Sequence, residues 1–171
     1  EQANQSDSIH YFYMDTDIYN TGSWSSSKMR TKIIGTSLTD YSNTFIGALS
    51  TELRAVLKSV TKYTHNSDNA SAQDSVTSTT EYAFLLSEYE VCGTTTRTDP
   101  YEASKQMQYS YYSAGNSIIK YDHRNTNRSI KYWLRSFKVS STYMWCAVSN
   151  NGTLIDGNAP WSYGIAPCFC V

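Results

Sequence analysis

From Tyr143 to Val148 the chain reads Tyr-Met-Trp-Cys-Ala-Val, and Asn150-Asn151-Gly152 follows before Thr153-Leu154-Ile155. Side chains alternate between the two faces of a strand, so Tyr143, Trp145 and Ala147 share one face and Met144, Cys146 and Val148 the other. An Asn-Gly pair between two such runs is a strong hairpin signal, suited to a type I′ turn. This hairpin commits the C-terminal part of the chain to antiparallel sheet. Tyr132-Trp133-Leu134-Arg135-Ser136 predicts a strand before it, and Tyr163 to Val171 a closing strand after it. Pro167 lacks an amide donor, which places that closing strand at an edge or a bulge.

Upstream, the pattern is mixed. His10-Tyr11-Phe12-Tyr13-Met14 reads as a first strand. Ser25-Ser26-Ser27 ahead of Lys28 to Ile34, with Gly35 just past the end, punctuates a helix. Leu49, Leu53, Val56, Leu57 and Val60 recur at helical spacing, with Ser50 or Thr51 as the cap and Glu52, Arg54 and Lys58 on the other face. Thr64 to Thr80 is polar and predicts a surface loop. Tyr82 to Leu86 is a continuous apolar run that predicts a buried strand, and Ser87 to Val91 a turn or short helix. Residues 101–113, rich in Tyr and Gln, predict a short irregular helix, and 122–130 a polar loop. No internal repeat is evident. The expected fold class is α+β: a mostly antiparallel sheet with two helices and long loops. One domain is expected over 1–171, with 1–21 as an N-terminal strand or linker to a longer parent chain.

The 171 residues are enough to bury a real core. Lys and Arg number 14 and Asp and Glu 15, so the net charge is -1 and a nucleic-acid partner is not expected. No apolar run reaches the roughly 20 residues that span a bilayer, so no membrane insertion is expected. The polar start from Glu1 to Ser8 shows no signal-peptide pattern. Tyr is 15 and Trp 4, while charged residues are 17%, below the usual ~25%. Tyr with many Ser, Thr and Asn residues is the chemistry of a recognition surface, although Tyr and Thr also favour strands.

Neither a metal nor a cofactor is expected. Cys92, Cys146, Cys168 and Cys170 show no zinc spacing. His10, His65 and His123 are far apart, and Asp15-x-Asp17 lacks the glycine and glutamate of a calcium loop. Met144, Cys146 and Val148 are expected to face inward, with Cys146 near Cys168 or Cys170 as thiol or disulfide. Phosphate-loop, dinucleotide and nucleophile-elbow signatures are missing.

Six motifs occur in order: Ser25-x-x-Lys28-Met29-Arg30, Leu53-Arg54-Ala55-Val56, Val60-Thr61-Lys62-Tyr63-Thr64, Phe84-Leu85-Leu86-Ser87-Glu88-Tyr89-Glu90-Val91, Trp133-Leu134-Arg135-Ser136, and Tyr163-Gly164-Ile165-Ala166-Pro167-x-Phe169-Cys170-Val171. Over roughly residues 22–171 the chain resembles a domain family of unassigned function from gut bacteria and their tailed phages. That family looks like a branch of the C-type-lectin-like fold, shared with formylglycine-generating enzymes and with the variable proteins of diversity-generating retroelements. The pattern is departed from at Tyr132, Phe137 and Cys168, where the family usually has Trp, Pro and Gly. The copper-binding cysteine pair of the formylglycine-generating enzymes is not matched by Cys168 and Cys170.

The resemblance implies a non-enzymatic receptor-binding domain of a phage tail or fibre protein, or of a bacterial surface protein. Such a domain would sit on a virion or cell surface, diversified by a retroelement and oligomeric through a parent fibre. Its partner would be a protein or glycan receptor on a cell. A structural virion domain and a formylglycine-generating-type enzyme are the alternatives. Trp133, Leu134, Leu85, Leu86, Ile165 and Phe169 are expected in the core, and Arg135 is expected to hold Glu88 or Glu90. The C-terminal part, 132–171, is expected to present the ligand site. Its candidates are Phe137, Lys138, Ser140, Ser141, Thr142, Tyr143, Trp145, Asp156, Asn158, Trp161 and Tyr163, with Tyr143, Trp145, Trp161 and Tyr163 as an exposed aromatic cluster.

Overall fold

The computed structural model describes residues 11–17, 23–39, 43–66 and 75–171. His10 of the predicted first strand, most of the predicted 1–21 linker and residues 67–74 of the predicted loop lie outside them. The helices are α1 (Ser23–Ser26), a π-helical segment (Met29–Ile34), α2 (Phe45–Ala48), α3 (Thr51–Val56), α4 (Glu88–Cys92), α5 (Pro100–Ala103) and α6 (Ser110–Ser113). The strands are β1 (Val60–His65), β2 (Val76–Glu81), β3 (Ala83–Phe84), β4 (Lys120–Asp122), β5 (Asn125–Ile130), β6 (Tyr132–Phe137), β7 (Met144–Val148), β8 (Leu154–Asn158) and β9 (Cys168–Phe169). They pair antiparallel as β1–β2, β3–β9, β4–β5 and β6–β7–β8. The protein is α+β with small antiparallel sheets.

Several expectations change. The first predicted helix, Lys28 to Ile34, is found as the π-helical segment Met29–Ile34, and the second is shorter than its pattern. Around the first, Ser27 Oγ accepts the Arg30 N–H at 3.2 Å and Gly35 ends the π-helical segment at φ 91°. The second is capped by Ser50, whose side chain accepts the Leu53 N–H, and it stops at Val56 because Leu57 is already extended ahead of β1. Its faces also differ from the periodic reading: Arg54 is buried and Val56 is exposed. Two predicted loops contain hairpins. Thr64 and His65 end β1, Val76 to Thr80 lie in β2, and 122–130 holds the β4–β5 hairpin. Val76, Thr77, Thr79 and Thr80 are β-branched, which fits a pleated surface whatever their polarity.

The β7–β8 connection is a hairpin, but not through a type I′ turn. Such a turn needs positive φ at both Asn151 and Gly152, and of the two only Gly152 has it, at 85°. Gly152 N–H bonds Ser149 O at 3.1 Å, and Ser149 N–H bonds Thr153 O at 2.8 Å. This is the three-residue loop that closes on a left-handed glycine.

β6 is buried along its whole length. One cluster holds Trp133, Phe137, Trp145 and Ala147 with Met14, Trp24, Met29 and Ile34. A second holds Tyr132, Leu134, Cys146 and Val148 with Phe84, Leu86 and Val91. The central strand thus serves two apolar clusters. Trp133 lies over β8, where a Cβ on Gly157 would come within 2.4 Å of its ring, so only glycine admits that packing. The indole N–H of Trp133 donates to Phe12 O at 2.7 Å.

The chain ends stitch the molecule together. Phe12 and Tyr163 exchange both backbone bonds, at 2.7 and 3.0 Å. Gly164 bridges Tyr132 in parallel and Cys170 bridges Lys58. Pro167 stands just before β9, outside the ladder. Leu85 and Leu86 are buried as expected, and Ile165 packs half-buried on the first cluster. Phe169 is corrected: on a two-residue edge strand it is 37% exposed and only tilts against Phe45, with ring centres 6.3 Å apart. All four cysteines are free thiols, and Cys146 is fully buried in the cluster against which Cys168 and Cys170 pack.

Candidate binding surface

Three segments meet beside the outer end of the β6–β7–β8 sheet. The β6–β7 connection runs from Lys138 to Tyr143, and Lys138 N–H bonds Met144 O at 3.0 Å. The end of β8 and its turn run from Asp156 to Trp161, with Ala159 N–H on Tyr143 O at 3.1 Å and Trp161 N–H on Asn158 O at 2.8 Å. The third is the loop before α5, joined by Val139 N–H to Arg97 O at 3.0 Å.

Asp156 is the hub. Its Oδ2 accepts from Lys138 Nζ at 2.7 Å and also from Arg97 Nη1. Arg97 Nη2 donates to Leu154 O at 2.9 Å, which fixes the guanidinium in its plane. Asp156 Oδ1 and Asn158 Oδ1 are buried acceptors with no protein donor among the described residues. The two residues stand two apart on β8, so they share a face. Around them, Trp161 is 50% exposed and Tyr143 36%, and Ser140 and Thr142 are exposed. Ser140 takes φ 67°, a left-handed conformation that needs a tight local turn.

Seven of the eleven expected site residues therefore reach or border this surface: Lys138, Ser140, Thr142, Tyr143, Asp156, Asn158 and Trp161. Four are corrected. Phe137, Ser141, Trp145 and Tyr163 are buried. Alternation on β7 gives one solvated face only if that face lacks a cover. Here Phe137 packs edge-on to Trp145 at 5.5 Å and Tyr163 tilts against Trp133 at 4.4 Å in the first cluster, while the second covers the face of Cys146 and Val148, so both faces are covered. Ser141 Oγ accepts the N–H groups of Tyr143 and Met144 and shapes the turn. The expected four-aromatic cluster is thus split. Trp161 touches it only through an edge contact to Tyr163 at 6.4 Å.

Arg97 escaped the sequence reading, because a single arginine in a Thr-rich stretch carries no periodic signal. Its loop is held from inside. The buried Glu88 carboxylate accepts Thr96 N–H at 2.9 Å, Thr96 Oγ1–H at 2.6 Å, Arg97 N–H at 3.1 Å to each oxygen, and Thr98 N–H at 2.6 Å.

A family model described as a domain of unknown function (DUF6273) matches residues 8–171. The chain belongs to this family. No curated protein and no solved structure matches it.

Under the surface, the DUF6273 domain carries a buried charge network. Arg135 is fully buried and donates to Glu90 Oε2 at 3.2 Å, to Leu85 O at 2.6 Å and to Thr64 Oγ1 at 3.2 Å. The expected carboxylate partner is therefore Glu90, while Glu88 serves the loop. Lys62 Nζ bonds Glu90 Oε1 at 2.5 Å and Tyr109 OH at 2.9 Å. Burial alone would raise the Glu90 carboxyl, but Arg135 and Lys62 overcome it and hold it below its ordinary value. Burial pulls the Lys62 ammonium down against the opposing attraction of Glu90. Glu102, wholly enclosed, goes the other way: burial raises it, although Arg135, Ser136 Oγ at 2.6 Å and His65 N–H at 2.8 Å favour its charge.

Burial acts in the same way on three thiols of the DUF6273 domain. Burial raises Cys92 to about 11, and it raises Cys146 and Cys168 as well. A thiol so displaced is rarely the nucleophilic thiolate. Among the described residues no group of three or more His, Cys, Asp or Glu side chains could hold a metal. No helix of the described chain is long and apolar enough to cross a membrane.

Proposed function

We propose that this DUF6273 domain is a non-enzymatic receptor-binding module with a C-type-lectin-like fold, carried by a phage tail or fibre protein or by a bacterial surface protein. The observation that carries the reading is the surface around Asp156. It combines an exposed Trp161 and Tyr143 with fixed cations and two unpaired oxygen acceptors. Aromatic anchors beside adaptable polar groups on a rigid scaffold are the composition of recognition surfaces. The exposed loop residue Thr142 hangs on strands buried beneath it, so it is free to vary without disturbing the core, and Ser140 beside it is exposed at a left-handed turn position that favours Gly, Asn or Asp. That suits a diversified surface, as the resemblance to retroelement variable proteins implies. The partner is a protein or glycan receptor on a host cell.

The test uses Trp161→Ala, Tyr143→Ala and Lys138→Ala against arrays of bacterial surface glycans and proteins and against whole gut bacteria. Loss of a central aromatic anchor is expected to cost about 2 kcal/mol or more in binding. For the exposed Trp161 and Tyr143, folding stability should move within about 0.5 kcal/mol. Variants that bind as the parent does, or that unfold, would remove the site from this surface.

A further inference from the structure

A second surface lies away from Asp156. Residues 105–110 run alongside β1 and leave an open groove of about 560 Å³, lined by Lys62, Tyr63, Lys105, Met107 and Tyr109 with Thr61 at its edge. In an antiparallel pair, residues alternate between turning their backbone groups toward the partner and away from it. Asn66 N–H bonds Ser75 O at 3.1 Å, one step beyond the β1–β2 register, so the even-numbered residues of β1 face β2. The odd-numbered ones face the groove side. His65 N–H goes there to Glu102, and Tyr63 O receives Gln106 Nε2 at 2.9 Å. Past that point the edge is open. Among the described residues nothing meets the N–H or C=O of Thr61 or the N–H of Tyr63, and Thr61 is exposed.

We infer that this groove takes an extended, acidic peptide segment of a partner protein as an added strand on β1. A strand edge with free donors and acceptors is a template for main-chain pairing, and side pockets supply selectivity. The groove offers both. Met107 is 82% exposed, a flexible apolar contact, and Tyr109 forms the wall beside it. The charge balance sets the sign of the peptide. Lys62 and Lys105 line the groove, and its one carboxylate, Glu90, is already held by Lys62 and Arg135. A carboxylate on the incoming strand meets the exposed ammonium of Lys105, above a Lys62–Glu90–Arg135 group that keeps a net positive charge, whereas a basic strand meets repulsion. This site is independent of the surface around Asp156.

The probe is a degenerate library of blocked octapeptides panned on the whole 171-residue chain. Enriched peptides should carry an excess of Asp and Glu at alternate positions. Binding of the best peptide should slow hydrogen exchange at the Thr61 and Tyr63 amides and leave the already paired Lys62 and Thr64 amides unchanged. Thr61→Pro, which removes the edge donor, should lose at least tenfold in affinity. Lys105→Glu and Met107→Asp are exposed and keep the strand intact, so they carry the test if Thr61→Pro fails to fold, and each should also lose at least tenfold. The proposal is overturned if no peptide is enriched, if the enriched peptides are basic, or if all folded variants bind as the parent does. Protection that appears at Tyr143 and Trp161 instead overturns it equally.

Discussion

At the scale of single residues, the strongest statement concerns Glu90. It lies between Lys62 and Arg135, all three largely removed from water. Breaking one member of such a group leaves uncompensated buried charge, at a cost of about 3–5 kcal/mol. Glu90→Gln leaves two buried cations facing a neutral amide, so chemical denaturation should show a loss of that size. Two carboxyls of the network also titrate in opposite directions. Glu90 sits below its ordinary 4.5, so its stabilisation is present above pH 4.5 and is lost as pH falls through its folded value. Glu102 sits above 4.5, so its contribution is present below that pH and is lost as pH rises through its folded value. Carboxyl-carbon NMR titration should find the Glu90 inflection below 4.5 and the Glu102 inflection above it. Arg135 with a nearby glutamate was readable in the sequence, because a charge inside a Trp-Leu strand needs a partner. Which glutamate was not readable: Glu88 and Glu90 are two apart, and only the capping of α4 decides. Ser87 accepts the Glu90 N–H while Glu90 returns to the Ser87 N–H, and that turns Glu90 toward Arg135.

Between elements, contacts separate positions that look alike in the chain. Leu86 is buried between β3 and β6, so Leu86→Ala should cost roughly 2–5 kcal/mol. Phe169, read as core by the same apolar logic, sits half in solvent, and Phe169→Ala should cost clearly less in the same denaturation series. Gly157 gives the opposite lesson. Nothing in Asp-Gly-Asn suggests a packing role, yet a methyl there collides with Trp133, and Gly157→Ala should cost about 1–3 kcal/mol as an overpacked site. Local signals were legible in the sequence: a cap at Ser50 or Thr51, the β7–β8 hairpin though not its turn type, and the runs at 82–86 and 132–136. The β1–β2 and β4–β5 hairpins were not, because their strands are mostly polar and lack the apolar alternation that marks a half-buried one.

For the molecule as a whole, β6 decides the behaviour. Both apolar clusters close on it, so neither should survive alone. Thermal unfolding followed by tryptophan fluorescence and by far-UV circular dichroism should therefore give coincident transitions. Labelling of Cys146, fully enclosed in the second cluster, should proceed only through that global opening. The burial of Trp145 and Tyr163 was hidden from the sequence for the same reason. Their cover comes from Phe137, Trp133 and Phe12, brought together by contacts across the fold that no local pattern encodes.

Glu88 bears on the history such a surface can have. It gathers its loop through the main-chain amides of Thr96, Arg97 and Thr98, with Thr96 Oγ1 as the one side-chain donor. Amides are common to every residue except proline, so Glu88 sets the path of the loop independently of the side chain at position 97, while Thr98 is buried beneath it. A substitution at position 97 can therefore change the surface around Asp156 while the shape of the loop that carries it is kept.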